Sequence, residues 1–248
     1  MQTVTELVGD DIRRMTLPPP EAEVLPGVQW GLFYEIPTPA FWAAQAWMSP
    51  EATFGIMNCG GLLAEEVGFC LLGGYGVTAE LNRAAYRHLR EAGVFKPGRL
   101  PRASDIERLL IEPLKVGERL VRYRYPRQRA GRLSIALQAL ADTPPSEQDH
   151  HAFRQYLMRL PGIGPKTASW ITRNWLSSND VAILDIHVIR ACQLMGVFPA
   201  DAKLPRDYDA LEQRFLAFAD GLDVHPSLLD VVIWREMRHL TRVKLLKY

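Results

Sequence analysis

The chain has 248 residues, 48% hydrophobic and 23% charged. That is enough apolar material to bury a core in one or two domains, and it excludes a disordered or low-complexity chain. The formal net charge of +1 excludes a polybasic protein, so any nucleic-acid binding must rest on a local patch. Cys59, Cys70 and Cys192 are widely separated and show no metal-ligand spacing, so no iron–sulfur cluster is expected. A required cofactor of another kind is not expected either. Scattered thiols suit a reducing compartment. Residues 1–15 lack the basic-then-apolar pattern of a signal peptide, and no run is long enough for a membrane helix. The expectation is a cytoplasmic protein with no membrane partner.

In chain order, Met1 to Leu25 is expected to be irregular, with Pro18-Pro-Pro20 as a stiff break and room for a few short strands. After an aromatic and aliphatic stretch from Trp30 to Ile36, Thr38-Pro39 starts a helix whose Phe41, Trp42 and Trp47 read as core. Leu62 to Leu72 is apolar nearly all round, the mark of a buried helix. A Gly73-Gly-Tyr-Gly76 turn follows, and Val77-Thr78 opens a helix through Leu81, Ala85 and Leu89 to Gly93 as its C′ residue. Ser104-Asp-Ile-Glu107 reads as a capping box for a helix that Pro113 stops. Arg119, Arg122, Arg124, Arg127, Arg129 and Arg132 then fall within fourteen residues, interleaved with Tyr123 and Tyr125. Such a run is either a solvated helix face or a phosphate-binding patch, in which each contact adds a salt-dependent increment to binding.

The next helix, Gln148 to Leu160, carries Phe153, Leu157 and Leu160 at helical spacing, and Ser146 can cap it. Then comes Leu160-Pro-Gly-Ile-Gly-Pro-Lys166. Gly162 and Gly164 bracket Ile163 and permit a tight turn whose backbone can approach a ligand. Pro165 suits the first turn of a following helix. Helix, turn and helix together leave free N–H groups pointing outward, a ready phosphate site. Two more helices are expected, Pro205 to Asp220 with Leu211, Phe215 and Phe218 inward, and Pro226 to His239.

The turn, its Lys166, and Asp185 nineteen positions later in Leu184-Asp-Ile-His187 form a compound pattern. It resembles the helix-hairpin-helix DNA glycosylases, in the 8-oxoguanine DNA glycosylase branch and nearest its short archaeal-type enzymes. The motif-level resemblance runs from about Leu157 to Arg190, with looser similarity over Leu62 to Gly93, Tyr123 to Ala130 and Leu229 to the C-terminus.

The resemblance implies an all-α fold of two helical subdomains with the active cleft between them. It implies four segments: an N-terminal extension with short irregular or strand segments and one helix (1–50), a helical subdomain (51–130), a helix-hairpin-helix catalytic subdomain (131–220), and a C-terminal helix closing the base pocket (221–248). The implied activity is that of a bifunctional DNA glycosylase and AP lyase in base excision repair, flipping a damaged purine, 8-oxoguanine above all, out of duplex DNA. Lys166 is the implied nucleophile at C1′, forming a Schiff base that permits β-elimination. The attacking amine must be neutral, and the positive end of a helix dipole disfavours an ammonium. Asp185 is the implied ionised carboxylate that opposes charge developing on the sugar. It can also cap the helix that begins at Ile186.

Gly162, Gly164, Pro165 and His187, together with Arg127 and Arg129 of the basic segment, are the implied DNA contacts. Carbonyls of Met158, Leu160 and Ile163 match positions that hold a structural monovalent cation. Larger family members carry asparagines where this chain has Gly73 to Gly76. Tyr75 is therefore either a wedge that fills the gap left by the flipped base or an ordinary turn residue. Trp170, four residues beyond Lys166, either reshapes the base pocket or packs in the core. Trp234 and the terminal carboxylate at Tyr248 are pocket candidates, against a packing tryptophan and a frayed end. A monomer, nucleoid-associated when bound to DNA, is the default of the superfamily. Two alternatives stay open: the same chemistry on another modified base, and a non-catalytic DNA-binding module built on the same turn.

Overall fold

The computed structural model describes residues 1–49 and 61–242. Its elements in chain order are β1 (Gln2–Val8), β2 (Asp11–Leu17), β3 (Glu23–Leu25), β4 (Val28–Gln29), α1 (Pro39–Met48), α2 (Leu63–Leu72), α3 (Ala79–Glu91), α4 (Ala103–Ile111), β5 (Leu114–Val116), β6 (Arg119–Val121), α5 (Pro126–Asp142), α6 (His150–Met158), α7 (Pro165–Leu176), α8 (Ile186–Leu194), α9 (Tyr208–Gly221) and α10 (Pro226–Arg242). The strands form three antiparallel two-stranded ribbons. The fold is thus mostly helical, as the sequence implies, with small strand pairs added. Among the described residues no helix is long and apolar enough to cross a membrane.

The chain divides into two units, Met1–Ile56 with Ser178–Tyr248, and Met57–Ser177. The division differs from the four sequence segments. Position 130 falls inside α5 and position 220 inside α9, and the N-terminal extension shares one core with α8, α9 and α10 rather than standing apart. Trp42, Phe198, Phe215, Phe218 and Val232 centre that core, whereas Tyr86, Leu89, Ile106, Leu133, Phe153 and Ile171 centre the core of the other unit.

Residues 2–17 are not irregular. Val4 and Leu17 are buried while Thr3 and Thr5 face out, the period-two alternation of a half-buried strand. Gly9, with φ +62, sits in a two-residue hairpin turn between β1 and β2. Gln2 fixes this ribbon to its unit: its amide nitrogen donates to the carbonyls of Pro18 and Gly31, both at 2.9 Å, and its oxygen accepts the Phe33 N–H at 3.1 Å. The β5–β6 ribbon likewise was missed, hidden in Leu114-Lys-Val-Gly-Glu-Arg-Leu-Val121 after the helix-stopping Pro113.

Two caps also differ from expectation. Asp149, not Ser146, caps α6 by accepting the Ala152 N–H at 3.0 Å. The N-cap of α4 is Arg102 without a side-chain bond, because the helix starts ahead of Ser104 and Asp105 is drawn instead to the Arg102 guanidinium at 3.1 Å. Thr38 and Thr78 do cap α1 and α3, at 3.1 and 3.2 Å.

Besides capping, the Thr38 hydroxyl donates at the entry to α1, with the Leu32 carbonyl at 2.8 Å and the Glu35 carbonyl at 3.0 Å as acceptors. Thr38→Ala is therefore expected to lower unfolding free energy by about 1–2 kcal/mol, measured by urea denaturation.

Candidate active site

In the unit Met57–Ser177, the turn between α6 and α7 follows from its residues. The Ile163 N–H closes onto the Leu160 carbonyl at 3.2 Å, with Pro161 and Gly162 at the two central positions and φ +89 at Gly162. Proline first and glycine second is what a type II turn demands. Leu160 and Ile163 at its corners are each only 5% exposed, so the turn is pinned into the core from both sides. A Cβ at Gly162 would lie 2.6 Å from Arg132 Cδ, whereas one at Gly164 would meet nothing within 4 Å. Gly164 also has an ordinary φ of −99. Among the described residues nothing requires glycine there, and the lack of a side chain leaves that face of the backbone open to close approach.

Gly164 is the N-cap of α7, without a side-chain cap bond, and Pro165 takes the first helical position. The first helical bond runs from the Ala168 N–H to the Gly164 carbonyl at 2.9 Å, so the Lys166 and Thr167 N–H groups have no intrahelical acceptor. Lys166 is exposed in this first turn. Trp170, one turn on, is half-buried rather than fully in the core. Of the three carbonyls expected to face a monovalent cation, Met158's belongs to the last residue of α6 and those of Leu160 and Ile163 to the turn. Leu160's already accepts one hydrogen bond and keeps a second lone pair, and neutral oxygens are the donor type that suits such an ion. Among the described residues no group of three His, Cys, Asp or Glu gathers as metal ligands.

The Gly73–Gly76 segment of the same unit is a built turn. The Val77 N–H donates to the Gly74 carbonyl at 3.0 Å, and Gly76 takes φ +78. Tyr75 at its tip is 92% exposed, a position open to both the wedge and the ordinary turn reading. A Cβ at Gly74 would lie 3.2 Å from Arg129 Nη2, and one at Gly76 would lie 2.5 Å from Arg124 Nη1. Both guanidinium groups sit over the Tyr125 ring, at 6.0 and 5.2 Å.

Arg129, one of the two arginines expected to contact DNA, is only 9% exposed, with Nη2 close to Gly74. Its burial follows from its neighbours: the Tyr123 hydroxyl, which donates to the Leu72 carbonyl, lies beside it. Burial pushes the Tyr123 phenol up to about 12, against the opposing pull of Arg129. Arg127, in the first turn of α5, is exposed and remains a surface cation.

In the unit Met1–Ile56 with Ser178–Tyr248, Asp185 is the N-cap of α8. Its Oδ1 accepts the N–H groups of His187 at 2.8 Å and Val188 at 2.9 Å. Oδ2 takes no part in the cap. Burial pushes the His187 imidazole below its usual value, opposed by Asp185 and reinforced by Arg190 and Arg238. Arg238 in turn lies over the Trp234 ring at 4.4 Å, so that half-buried tryptophan has a cation on one face. Tyr248 lies outside the described residues.

The approach to Asp185 rests on residues that sequence reasoning missed. Val181 to Leu184 are at most 8% exposed and belong to no strand. Their N–H groups find side chains instead: Ala182 donates to Glu212 Oε1 at 2.9 Å, Ile183 to Asp230 Oδ2 at 3.3 Å and Leu184 to the Tyr208 hydroxyl at 3.4 Å. The signal was an acid inside an apolar run, Leu228-Leu-Asp-Val-Val-Ile233, and another beside Leu211 on the buried face of α9.

Residues 62–224, about two thirds of the chain, match the family model Ogg-HhH, 8-oxoguanine DNA glycosylase. The chain belongs to the 8-oxoguanine DNA glycosylase family. A relative from Thermoplasma acidophilum, named 8-oxoguanine DNA glycosylase/AP lyase, is 28% identical over 179 residues, which cover 71% of this chain and 79% of that protein. A relative of the same name from Metallosphaera sedula is 31% identical over 91 residues, so the match spans 36% of this chain and only 43% of that protein's length. The crystal structure of the 8-oxoguanine DNA glycosylase of Thermotoga maritima superposes with a TM-score of 0.57 at 22% identity, covering 79% of this chain and 95% of that one. The Methanocaldococcus jannaschii 8-oxoguanine glycosylase/lyase, in complex with a 15mer DNA containing 8-oxoguanine, gives 0.53 at 20% identity, covering 84% and 92%. At these identities the likeness to the solved structures is one of fold.

The two glycines of the turn are expected to separate on substitution. Gly162→Ala should lower stability by about 1–2 kcal/mol through its left-handed φ and the clash with Arg132. Gly164→Ala should leave it within about 0.5 kcal/mol, both read by urea denaturation.

Proposed function

We propose that this chain is a bifunctional DNA glycosylase and AP lyase that excises an oxidised purine, 8-oxoguanine in the first instance, from duplex DNA. The reading is supported most by one conjunction within a recognised member of the family. An exposed lysine stands in the first turn of an uncapped helix behind a type II turn, and a half-buried aspartate at the motif spacing is tied down through a single oxygen.

In this reading the N–H groups at the start of α7 receive a DNA phosphate, which the open side of Gly164 lets approach. His187 and the exposed Arg127 add contacts to the backbone. A monovalent cation held by the carbonyls of Met158, Leu160 and Ile163 would supply further positive charge beside that phosphate. Tyr75, exposed at the tip of a turn braced by Arg124 and Arg129, stacks in the gap when the damaged nucleotide leaves the helix. Flipping is needed because C1′ cannot be attacked while the base is stacked. Trp170 and Trp234 offer aromatic faces to the extruded base.

Lys166 Nζ then attacks C1′, and the bond to the base breaks with its electron pair leaving on the base, which takes up a proton. The amine loses its protons as the sugar ring opens to a Schiff base. Loss of a C2′ proton expels the 3′-phosphate by β-elimination, and water releases the enzyme. The Asp185 carboxylate opposes the positive charge on the sugar while the base departs. A second reading, the same chemistry on a different modified base, is favoured by the glycines of residues 73–76 and by Trp170, where the resemblance expects asparagines and a small residue.

Single-turnover cleavage of an 8-oxoguanine·cytosine duplex tests the assignment. Lys166→Gln is expected to slow excision by about a thousandfold or more and to abolish strand cleavage. Asp185→Asn keeps a good N-cap and should still slow excision by about 10²- to 10³-fold through loss of charge. Gly164→Ala should weaken duplex binding by about tenfold, the worth of one charge-assisted hydrogen bond. Lys166→Gln protein that cuts as fast as the native enzyme would overturn the catalytic reading, and a native protein that ignores 8-oxoguanine but cuts another lesion would move it to the second.

A further inference from the structure

We infer that Tyr208, Glu212 and Asp230 are positioning residues for Asp185. The inference rests on the reading of Asp185 as the carboxylate that acts at the sugar. Backbone groups of a buried segment need partners, and the usual solution is a neighbouring strand. Among the described residues no strand pairs with residues 181–184. Each of the three peptides leading to Asp185 is held instead by its own side chain from α9 or α10.

Tyr208 and Glu212 lie four residues apart on α9, hence on one face. Glu212 takes the Ala182 N–H, while the Tyr208 hydroxyl donates to the Ala182 carbonyl at 2.7 Å and accepts the Leu184 N–H at 3.4 Å. Asp230 of α10 takes the Ile183 N–H between them. Next, the Asp185 N–H donates to the Ile183 carbonyl at 3.1 Å, and Oδ1 accepts from residues 187 and 188. The N–H groups of residues 182 to 185 are thus each held, and the carboxylate sits at the end of that run.

All three clamping side chains are nearly inaccessible, at 2% for Tyr208, 1% for Glu212 and 3% for Asp230. Burying two acids and a phenol is costly where apolar side chains would pack without the penalty. What polar groups supply and apolar ones do not is a fixed peptide orientation. A reacting group displaced by about 1 Å can lose a hundredfold in rate, so small freedom in residues 182–184 is freedom at Asp185.

Tyr208→Phe removes only the hydroxyl and keeps the ring in the core. The measurements are single-turnover excision from an 8-oxoguanine·cytosine duplex and affinity for a duplex carrying a tetrahydrofuran abasic analogue, each in the native and the Asp185→Asn background. Excision is expected to slow by about tenfold or more, with affinity for the analogue unchanged. The same substitution should add nothing in the Asp185→Asn background, since a residue acting through Asp185 has no further route. Native-rate excision, or an equal slowing in both backgrounds, overturns the proposal.

Should Tyr208→Phe fail to fold, Glu212→Gln against Glu212→Met carries the same comparison. The amide oxygen still accepts the Ala182 N–H and should restore the rate, the thioether should not, and equal rates would refute the clamp. Asp185→Asn protein that excises at the native rate would sink the assignment of Asp185 instead.

Discussion

A chain that leaves regular structure inside a folded protein must still pair its buried N–H and C=O groups. Both candidate site segments are solutions to that constraint. At Leu160 to Gly164 the solution is local: a proline and a left-handed glycine close a type II turn on the Leu160 carbonyl, and two apolar corners anchor it. At Val181 to Leu184 the solution is distant, because the partners are side chains that arrive from 24 to 47 residues further along. Each device delivers a charged side chain at a helix start, Lys166 on α7 and Asp185 on α8.

The two helix starts are treated differently, and the difference matches their charges. Asp185 satisfies the first N–H groups of α8 with its own carboxylate, so that end is closed and the aspartate is immobilised. The α7 start has no side-chain cap and carries proline and lysine, so its remaining donors and its dipole stay available to an anion. The proposed function asks for both, a phosphate at the α7 start and an ordered carboxylate at the α8 start. The net charge of +1 leaves the rest of the surface with little to add, which puts the weight of DNA binding on such local features.

The parts of this arrangement that are local in sequence were legible in it. Leu-Pro-Gly-Ile dictates its own turn, Thr38-Pro39 and Thr78 announce their helices, and the Lys166 to Asp185 spacing carries the family. Position within an element was harder to read: Ser104 and Ser146 sit where a cap is plausible, yet Arg102 and Asp149 are the residues at the helix starts. The basic segment is legible only in part because charge does not reveal direction. Arg127 faces out, while Arg129 turns inward beneath the glycine turn beside Tyr123 and Tyr125.

The N-terminal ribbon is weakly marked in the sequence because only Gln2 and Val4 alternate inward against exposed Thr3 and Thr5, while the apolar Leu7 and Ile12 face out. The Tyr208, Glu212 and Asp230 clamp was out of reach because its meaning depends on which backbone it meets. An acid in an apolar run says only that something unusual is buried.

The most direct single measurement is borohydride trapping on an 8-oxoguanine·cytosine duplex, in which reduction locks any Schiff base into a stable protein–DNA adduct. The expected result is an adduct with the native protein and none with Lys166→Gln. An adduct of undiminished yield with Lys166→Gln would contradict the assignment of the nucleophile. Strand cleavage by the native protein without any trapped adduct would contradict the lysine mechanism altogether.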